Sequence, residues 1–215
     1  MIISNLSFKF DKNSFYFFKN LTIEFEPNQV HFIRGDNGVG KSTLFNILQG
    51  TISQESQLSA SVALDGKVYH AHNNIFDAQL IKQIHTVQQN YDRMISNQFS
   101  FLENLQLANL PTYPRIRSLP EATIFDIVKK MRLDGASIPA YRLSGGQRQL
   151  LAILMALQKP TRVLLLDEPT ATLDKKNAHT IIQYLQKLAM ELKVTMLIIC
   201  HDKELVEMYA LGQYF

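Results

Sequence analysis

The sequence predicts an α/β protein with a mostly parallel sheet and helices on both of its faces. Two continuous apolar runs, at 163–166 and 195–200, are typical of parallel strands that are buried on both sides. A short segment at 30–33, also predicted to be a buried strand, leads directly into a glycine-rich loop and then into a helical pattern, and 84–88 predicts a further strand. Because strands alternate with helices along the chain, we expect crossover connections between parallel strands in the core.

The N-terminal part predicts a different kind of sheet, an antiparallel β subdomain. Residues 2–10 and 21–25 alternate apolar with polar side chains at period two, as strands with one solvated face do. Between them, the run 15–18 is more aromatic than a solvated turn needs to be. Further along the chain, 61–64 and 67–69 flank an Asp-Gly pair, and this pattern predicts a hairpin.

From about 91 to 157 the character of the chain changes, and we expect a helical subdomain inserted into the core. Strand-like alternation disappears around a proline-rich stretch, and 121–131 places its apolar residues on one face of a helix. Beyond the insertion, 175–192 also shows helical spacing. Residues 1–215 are therefore predicted to form one domain that includes the helical subdomain.

Composition and charge exclude several classes of protein. With 46% hydrophobic and 19% charged residues, the chain suits a well-packed globular domain. The formal charge of +3 is small and its charges are scattered, which does not indicate a nucleic-acid partner. The sequence has a single cysteine, Cys200, and shows neither a signal peptide nor a run long enough to span a membrane. We therefore expect a cytoplasmic protein that does not act on nucleic acid.

The residues with the clearest chemistry lie in the glycine-rich loop. A phosphate loop wraps an anion with its backbone N–H groups and needs a strand before it and a helix after it, and both are predicted here. Lys41 is suited to meet the β- and γ-phosphates, and the Ser42 hydroxyl is placed to ligate Mg²⁺. The sequence therefore predicts a nucleoside triphosphate site formed by Gly35, Asp36, Asn37, Gly38, Val39, Gly40, Lys41, Ser42 and Thr43.

Two carboxylates follow the buried run at 163–166, where the strand ends of a parallel sheet line the ligand crevice. Asp167 is suited to hold Mg²⁺, and Glu168 is suited to orient and polarise the water that attacks the γ-phosphate. The structural alternative is a helix start, where acidic residues are favoured, but Pro169 follows at once. We expect a metal-binding role for Asp167 and a catalytic role for Glu168.

A second glycine pair precedes the apolar helical pattern near 150–154. A serine hydroxyl and backbone N–H groups at a helix start form an anion site, although Ser144 would also serve as an ordinary N-cap. One phosphate rarely needs two such loops from one chain. The segment therefore indicates a second nucleotide contact made across a dimer, through Leu143, Ser144, Gly145, Gly146 and Gln147.

Together, these motifs closely resemble the nucleotide-binding domain of ABC ATPases, and the resemblance covers nearly the whole chain. Other positions match the family in the expected order. Gln89 resembles the glutamine of the family's Q-loop, and Gln88 is a weaker candidate for that role. Asp174 matches the D-loop, and His201, after the last buried strand, matches the switch histidine.

The resemblance also indicates how the base is bound. The family has an aromatic residue that stacks on adenine, and Phe10 lies at that position. Phenylalanine replaces the more usual tyrosine, which keeps the stacking but loses a hydroxyl group. Phe15 or Tyr16, in the aromatic run that follows, could take the role instead.

In the family, two domains pair head to tail, and each ATP lies between one phosphate loop and the signature loop of the partner. The resemblance therefore implies a homodimer in which 144–146, the signature loop, contacts the γ-phosphate bound by the second subunit. Glu168, His201 and Gln89 would be the catalytic residues. Three residues would bind Mg²⁺: Ser42, Gln89 and Asp167.

The resemblance further implies the ATP-hydrolysing subunit of an ABC transporter. Such a subunit powers substrate transport through a separate transmembrane permease, and lies on the inner face of the cell membrane through that partner. The chain ends at Phe215, soon after the switch histidine, so we expect either a trimmed or a minimal version of the domain, without a C-terminal regulatory domain.

Two other classes compete with this interpretation. Soluble ABC ATPases of DNA repair or translation usually carry a long coiled-coil insertion or two cassettes in one chain, and this sequence shows neither. A nucleotide kinase or a GTPase would also have a phosphate loop, but the signature loop argues against both. The sequence therefore favours the transporter subunit.

Overall fold

A computed structural model of the chain describes residues 1–108 and 137–209, and 213–214 by their backbone. The helix predicted at 121–131 and the proline-rich stretch before it lie outside the described residues. The division into a core and a helical subdomain at 91–157 stays a prediction. Inside that range, the described part contains a 3₁₀ turn at Tyr91–Met94 and a helix at Phe101–Ala108.

The central sheet is parallel in every described pairing. Its strands are β3 (Val30–Ile33), β7 (Ile84–Val87), β8 (Val163–Asp167), β9 (Thr195–Ile199) and β10 (Gln213–Tyr214). Their order across the sheet is β10-β3-β9-β8-β7. All residues of β3 and β9 are buried, including the polar His31 and Thr195, as predicted for strands covered on both faces.

The second sheet is antiparallel, with the order β2-β1-β4-β5-β6. Its strands are β1 (Ile2–Lys9), β2 (Phe18–Glu24), β4 (Gln57–Leu64), β5 (Lys67–His72) and β6 (Ile75–Phe76). Asp65 (φ 50°) and Gly66 (φ 77°) form the turn between β4 and β5, and their positive φ angles are those of the tight hairpin that the sequence predicts.

Helices cover both faces of the parallel sheet. The described helices are α1 (Lys41–Gln49), α2 (Ala78–Ile81), α3 (Phe101–Ala108), α4 (Gly145–Leu157), α5 (Lys175–Leu192) and α6 (Lys203–Tyr209). Leu164 and Leu166 of β8 pack in one hydrophobic cluster with α4, α5 and α6. Val163 and Leu165 pack in another, with α1, α2 and the antiparallel sheet. The predicted α/β fold class is confirmed.

Among the residues described, none of the helices combines the length and the apolar character needed to cross a membrane. The longest of them, α5, has an exposed polar face and packs its apolar face on the parallel sheet. Because β3, β9, β8 and β7 are parallel and neighbours in this order, their carboxyl ends lie along one edge of the sheet. The segments that follow these strands therefore meet at that edge.

Candidate nucleotide-binding site

The phosphate loop joins the buried strand β3 to the helix α1. Gly38 (φ 86°) and Gly40 (φ 107°) have left-handed backbone conformations, which residues with a Cβ rarely adopt. A Cβ on Gly40 would also lie 2.5 Å from the ring of Phe18 and 2.6 Å from the ring of Phe17. Glycine is therefore required at 40 by both the backbone turn and the close approach of two aromatic rings.

Lys41 is the first residue of α1, and its side chain folds back over the phosphate loop. Its Nζ donates hydrogen bonds to the carbonyl oxygens of Gly35 (2.7 Å) and Asp36 (2.9 Å). The residue is only 7% exposed. The positive charge is thus held at the centre of the loop, beside the start of a helix whose dipole also favours an anion.

An open cleft runs from the phosphate loop to the ends of β8 and β9. Its lining residues are Asn37, Gly38, Gly40, Lys41, Ser42, Thr43, Asp167, Glu168, Ile199 and His201. A neighbouring cleft shares Ser42 and Asp167 with it and is also lined by Gln88 and Gln89. The fold therefore brings together the residues predicted for phosphate binding, metal binding and catalysis, although they are far apart in sequence.

Glu168 lies between the two other residues predicted to be catalytic. Gln89 Nε2 donates to Glu168 Oε2 at 3.4 Å, and His201 Nε2 lies 3.2 Å from Glu168 Oε1. Glu168 has a positive φ of 49°, and the residues that follow form a turn rather than a helix. The alternative of an acidic helix start is therefore wrong. Of the two adjacent glutamines, Gln89 is the one that contacts the carboxylate.

Asp167 ends β8 and is partly buried. The pKa of the Asp167 carboxyl is raised above its ordinary value, chiefly by burial and then by the charge of Glu168, and this rise outweighs the opposing charges of His201 and Lys41. A divalent cation would favour the ionised carboxylate. The hydroxyl of Ser42, the carboxylate of Asp167 and the amide oxygen of Gln89 border one cleft and are the oxygen ligands that Mg²⁺ prefers, so the donor set fits this metal.

Aromatic rings form one side of the phosphate loop. Phe10 is 52% exposed, and its ring lies edge-to-face 5.1 Å from the ring of Phe17, which in turn contacts Phe18 at 5.0 Å. Phe15 is 95% exposed, whereas Phe17 approaches Gly40 directly. The aromatic run is visible in the sequence, but Phe17 is not distinguishable there as a candidate, because its contact with Gly40 arises only when the chain folds.

The signature loop begins α4 and is built as an ordinary helix start. Ser144 accepts a hydrogen bond from the N–H of Gln147, and the Gln147 side chain accepts one from the N–H of Ser144, which forms a capping box. Ser144 and Gly145 are exposed, and Leu143 is buried beneath them. None of these residues lines the cleft at the phosphate loop.

Asp174 also caps a helix. Its side chain accepts hydrogen bonds from the backbone N–H (2.9 Å) and the side-chain amide (2.6 Å) of Asn177, at the start of α5. These hydrogen bonds hold the pKa of the Asp174 carboxyl below its usual range. The assignment of Asp174 to a D-loop stays a prediction, and the carboxylate serves the fold of its own chain as a helix cap.

Comparison with curated proteins identifies relatives of known type. The spermidine/putrescine import ATP-binding protein PotA of Borreliella afzelii (strain PKo) is 32% identical over 208 residues, which are 94% of this chain and 55% of PotA. The methionine import ATP-binding protein MetN of Clostridium tetani is 30% identical over 190 residues, which are 88% of this chain and 58% of MetN. The chain spans little more than half the length of these relatives.

Solved structures share the same architecture. CbiO1 from Clostridium perfringens, part of the ABC transporter complex cbiONQ, matches with a TM-score of 0.74 and 26% identity over 98% of this chain and 83% of CbiO1. The cassette MJ0796, a dimer in a post-hydrolysis state with ADP and Pi, matches with a TM-score of 0.66 and 27% identity over 95% of this chain and 89% of MJ0796. A family model described as ABC transporter matches residues 18–171, more than half of the sequence. The chain therefore belongs to the ABC transporter family, among its ATP-binding proteins.

Proposed function

We propose that the protein binds ATP with Mg²⁺, hydrolyses it, and uses the reaction to drive transport through a separate membrane-spanning partner. The observation that carries the proposal is the position of Glu168. Its carboxylate contacts Gln89 and His201 and lines the same cleft as Lys41 and the phosphate loop. A base, a histidine and an anion-binding loop are thus gathered at one sheet edge.

In the proposed reaction, the phosphate loop and Lys41 bind the β- and γ-phosphates. Glu168 accepts a proton from the attacking water as the new oxygen–phosphorus bond forms and the bond to the β–γ bridging oxygen breaks, which gives ADP and inorganic phosphate. His201 orients Glu168 and hydrogen-bonds the γ-phosphate. Mg²⁺, bound by Ser42, Asp167 and Gln89, would neutralise charge on the phosphate oxygens.

We further propose that two copies of the chain complete the site head to tail, as a homodimer. The cleft at the phosphate loop is open, and the exposed helix start at Ser144 and Gly145 has donors suited to a phosphate but lies outside that cleft. If this loop contacted the γ-phosphate bound by a second subunit, it would close the open cleft of that subunit, and its donors would gain a phosphate acceptor. The dimeric state of MJ0796 supports this arrangement.

The partner would be a transmembrane permease, which would hold the protein at the cytoplasmic face of the membrane. A groove beside the site supports this proposal: Gln49, Thr86, Gln88 and Asn90 line both this groove and the cleft that contains Gln89. A segment of the partner docked in the groove would therefore lie beside Gln89, the glutamine that contacts Glu168. The names of the relatives mention polyamines and methionine, which differ, and we assign no substrate from them.

The test is the substitution Glu168→Gln, which keeps the size of the side chain and removes the base. We expect MgATP affinity by calorimetry to stay unchanged while turnover falls about 100-fold, the scale of a lost general base. Because hydrolysis reopens the dimer, the variant should accumulate as a dimer with MgATP in size-exclusion chromatography. Adding Ser144→Arg should abolish that dimer by placing bulk at the γ-phosphate.

A matched control is Glu207→Gln, which removes an exposed carboxylate on α6 that lines neither of the two clefts. It should leave turnover and assembly unchanged. Hydrolysis by the Glu168→Gln protein at the rate of the unmodified protein would exclude Glu168 as the base and, with it, the proposed mechanism.

A further inference from the structure

The phosphate loop contains a chemically labile pair, Asn37–Gly38. It is the only asparagine–glycine pair in the 215 residues of the sequence. Asparagine is a thermolabile residue, because its side-chain amide can be attacked by the backbone nitrogen of the residue that follows. A glycine at the following position has no Cβ to hinder that attack. The asparagine with the least hindered neighbour therefore lies in the loop that is proposed to bind ATP.

The pair forms the centre of an exposed turn. The N–H of Val39 donates to the carbonyl oxygen of Asp36 at 3.4 Å, which leaves Asn37 and Gly38 as the two central residues. Both central residues are exposed, and Gly38 has a φ of 86°. A Cβ on Gly38 would have nothing within 4 Å, so the space around this part of the backbone is open. The Asn37 side chain has room to fold back on the backbone that follows it.

The two reacting groups have no hydrogen-bond partner within the part of the chain that the structure describes. This holds for the N–H of Gly38 and for the side-chain amide of Asn37. By contrast, Asn104 is fully buried, and its side chain donates to three carbonyl oxygens. Hydrogen bonds of that kind hold an amide away from the backbone nitrogen that follows it. The protein fold restrains Asn104 in this way but leaves Asn37 free to react.

We propose that Asn37 is a site of spontaneous deamidation and that bound MgATP protects it. The Gly38 nitrogen attacks Cγ of Asn37, and the new N–C bond closes a cyclic imide. The bond from Cγ to the amide nitrogen breaks, and ammonia leaves with the proton that the Gly38 nitrogen has lost. Water then adds to either carbonyl of the imide and opens the ring. The product is aspartate at 37, or isoaspartate, in which the main chain runs through the former side-chain carbon.

Either product impairs the phosphate loop. Asn37 lines the same cleft as Lys41, so a carboxylate at 37 adds negative charge where the phosphates of a nucleotide must approach. Isoaspartate also inserts a CH₂ group into the main chain, which displaces the backbone N–H groups that follow it. Protein without nucleotide therefore loses its binding site with time.

Protection by MgATP rests on the proposed function. A phosphate held by the loop accepts hydrogen bonds from the backbone N–H groups, which would include that of Gly38. A nitrogen that donates to a phosphate is held away from the Asn37 side chain and is no longer free to attack it. The occupied loop is then preserved, whereas the empty loop is modified.

The experiment is peptide mass spectrometry of the Glu168→Gln protein, which should not consume the nucleotide, after incubation at mildly alkaline pH. Without nucleotide, the peptide that contains Asn37 should gain about 1 Da, because an OH group replaces an NH₂ group. MgATP at about ten times its dissociation constant should slow this gain about tenfold, because only about one molecule in eleven is then free. Calorimetry on the same protein gives the dissociation constant.

Asn73 is the matched control within the same protein. It is also exposed and lies in the two-residue turn between β5 and β6, but the residue that follows it, Asn74, has a Cβ. Its peptide should gain mass roughly tenfold more slowly, because that Cβ hinders the attack, and MgATP should not change the rate. Asn37→Gln keeps an amide on a longer side chain that closes the ring poorly, so the mass gain at 37 should disappear.

Asn37→Asp reproduces one product and should weaken MgATP binding about tenfold in calorimetry, as a like charge near the ligand at a protein surface does. An unchanged affinity in this variant overturns the impairment. A mass gain at Asn37 no faster than at Asn73 overturns the deamidation, and an equal gain with and without saturating MgATP overturns the protection. Failure of the Glu168→Gln protein to bind MgATP would instead reject the proposed function, whereas the rates at Asn37 and Asn73 without nucleotide would still test the modification.

Discussion

The phosphate loop and the signature loop are both glycine-rich helix starts, but they have glycine for different reasons. In the phosphate loop, Gly40 has a left-handed backbone and lies against the rings of Phe17 and Phe18. In the signature loop, a Cβ on Gly145 would lie 3.9 Å from Tyr91 Oη, an ordinary contact, and one on Gly146 would lie 3.3 Å from the flexible end of Leu173. Gly145 therefore has room for a side chain inside its own subunit, whereas Gly40 does not.

This difference indicates where each loop finds its binding partner. The phosphate loop makes its contacts inside the subunit: Lys41 donates hydrogen bonds to two of its carbonyl oxygens, and aromatic rings pack against Gly40. In the signature loop, Ser144 and Gly145 are exposed, and a Cβ on Gly145 would make only an ordinary contact. The absence of a side chain at 145 therefore has no cause inside the subunit. We infer that the requirement comes from outside, where a phosphate and its surrounding loop must approach the backbone closely.

The largest expected effect is on the MgATP affinity of the monomer, to which the two loops should contribute differently. Lys41→Ala removes charge-assisted hydrogen bonds to the phosphates, worth about 1.5–3 kcal/mol, and should weaken MgATP binding to the monomer by about 10- to 100-fold. Ser144→Arg should leave that affinity unchanged if, as proposed, its loop binds the nucleotide of a second subunit. Calorimetry on both variants measures the two MgATP affinities. Equal weakening by the two substitutions would break the comparison, because both loops would then act on one nucleotide.

A smaller effect is expected on stability. Gly40→Ala should lower the free energy of unfolding by about 1–3 kcal/mol, because it combines backbone strain with a clash against two rings. Gly145→Ala should change it by no more than about 0.5 kcal/mol, or stabilise the protein, since alanine favours a helix. Denaturant unfolding measures both.

Gly66→Ala provides the matched control for strain without a clash, because Gly66 has a φ of 77° and nothing within 4 Å of an added Cβ. Its cost should lie between those of the other two glycine variants. If Gly145→Ala proves as destabilising as Gly40→Ala, the signature loop needs its glycine for its own fold, and the inference of an outside partner fails.

The smallest expected effect sharpens the comparison by showing which aromatic rings bind the adenine of ATP. If the rings beside the phosphate loop stack on adenine, Phe10→Ala and Phe17→Ala should each weaken ATP binding several-fold, or about 1 kcal/mol. Phe10→Tyr should be nearly neutral. Phe15→Ala, at a residue that is 95% exposed, should change nothing. A loss of ATP affinity only in Tyr16→Ala would assign adenine stacking to Tyr16 instead of Phe10 and Phe17.

The elements that sequence predicts best are those whose pattern is set by burial. The helix α5 has the predicted bounds, and β8 and β9 each differ from the predicted run by a single residue at the end. Their apolar residues recur at the spacing that the core demands. By contrast, β6 and α6 were not predicted, because a strand of 2 residues and a mostly polar helix of 7 show too short a pattern.

The same reasoning explains which parts of the site were visible. The phosphate loop, Glu168 and the signature loop are contiguous motifs, so their spacing alone identifies them. Phe17 and the pairing of Arg148 with Asp92 are tertiary facts, created when segments distant in the chain come together. No local pattern records such contacts, and a sequence predicts them only through the fold.

The contacts of Lys41 also have a thermodynamic consequence. A free lysine side chain samples many rotamers, and ordering it opposes binding by about 1.5–2 kcal/mol. In this protein the carbonyl oxygens of Gly35 and Asp36 accept hydrogen bonds from the ammonium group, so contacts within the fold itself order the side chain. That entropy is lost when the chain folds rather than when ATP binds. The loop is preorganised, and its affinity for phosphate is higher than the same groups on a flexible side chain would provide.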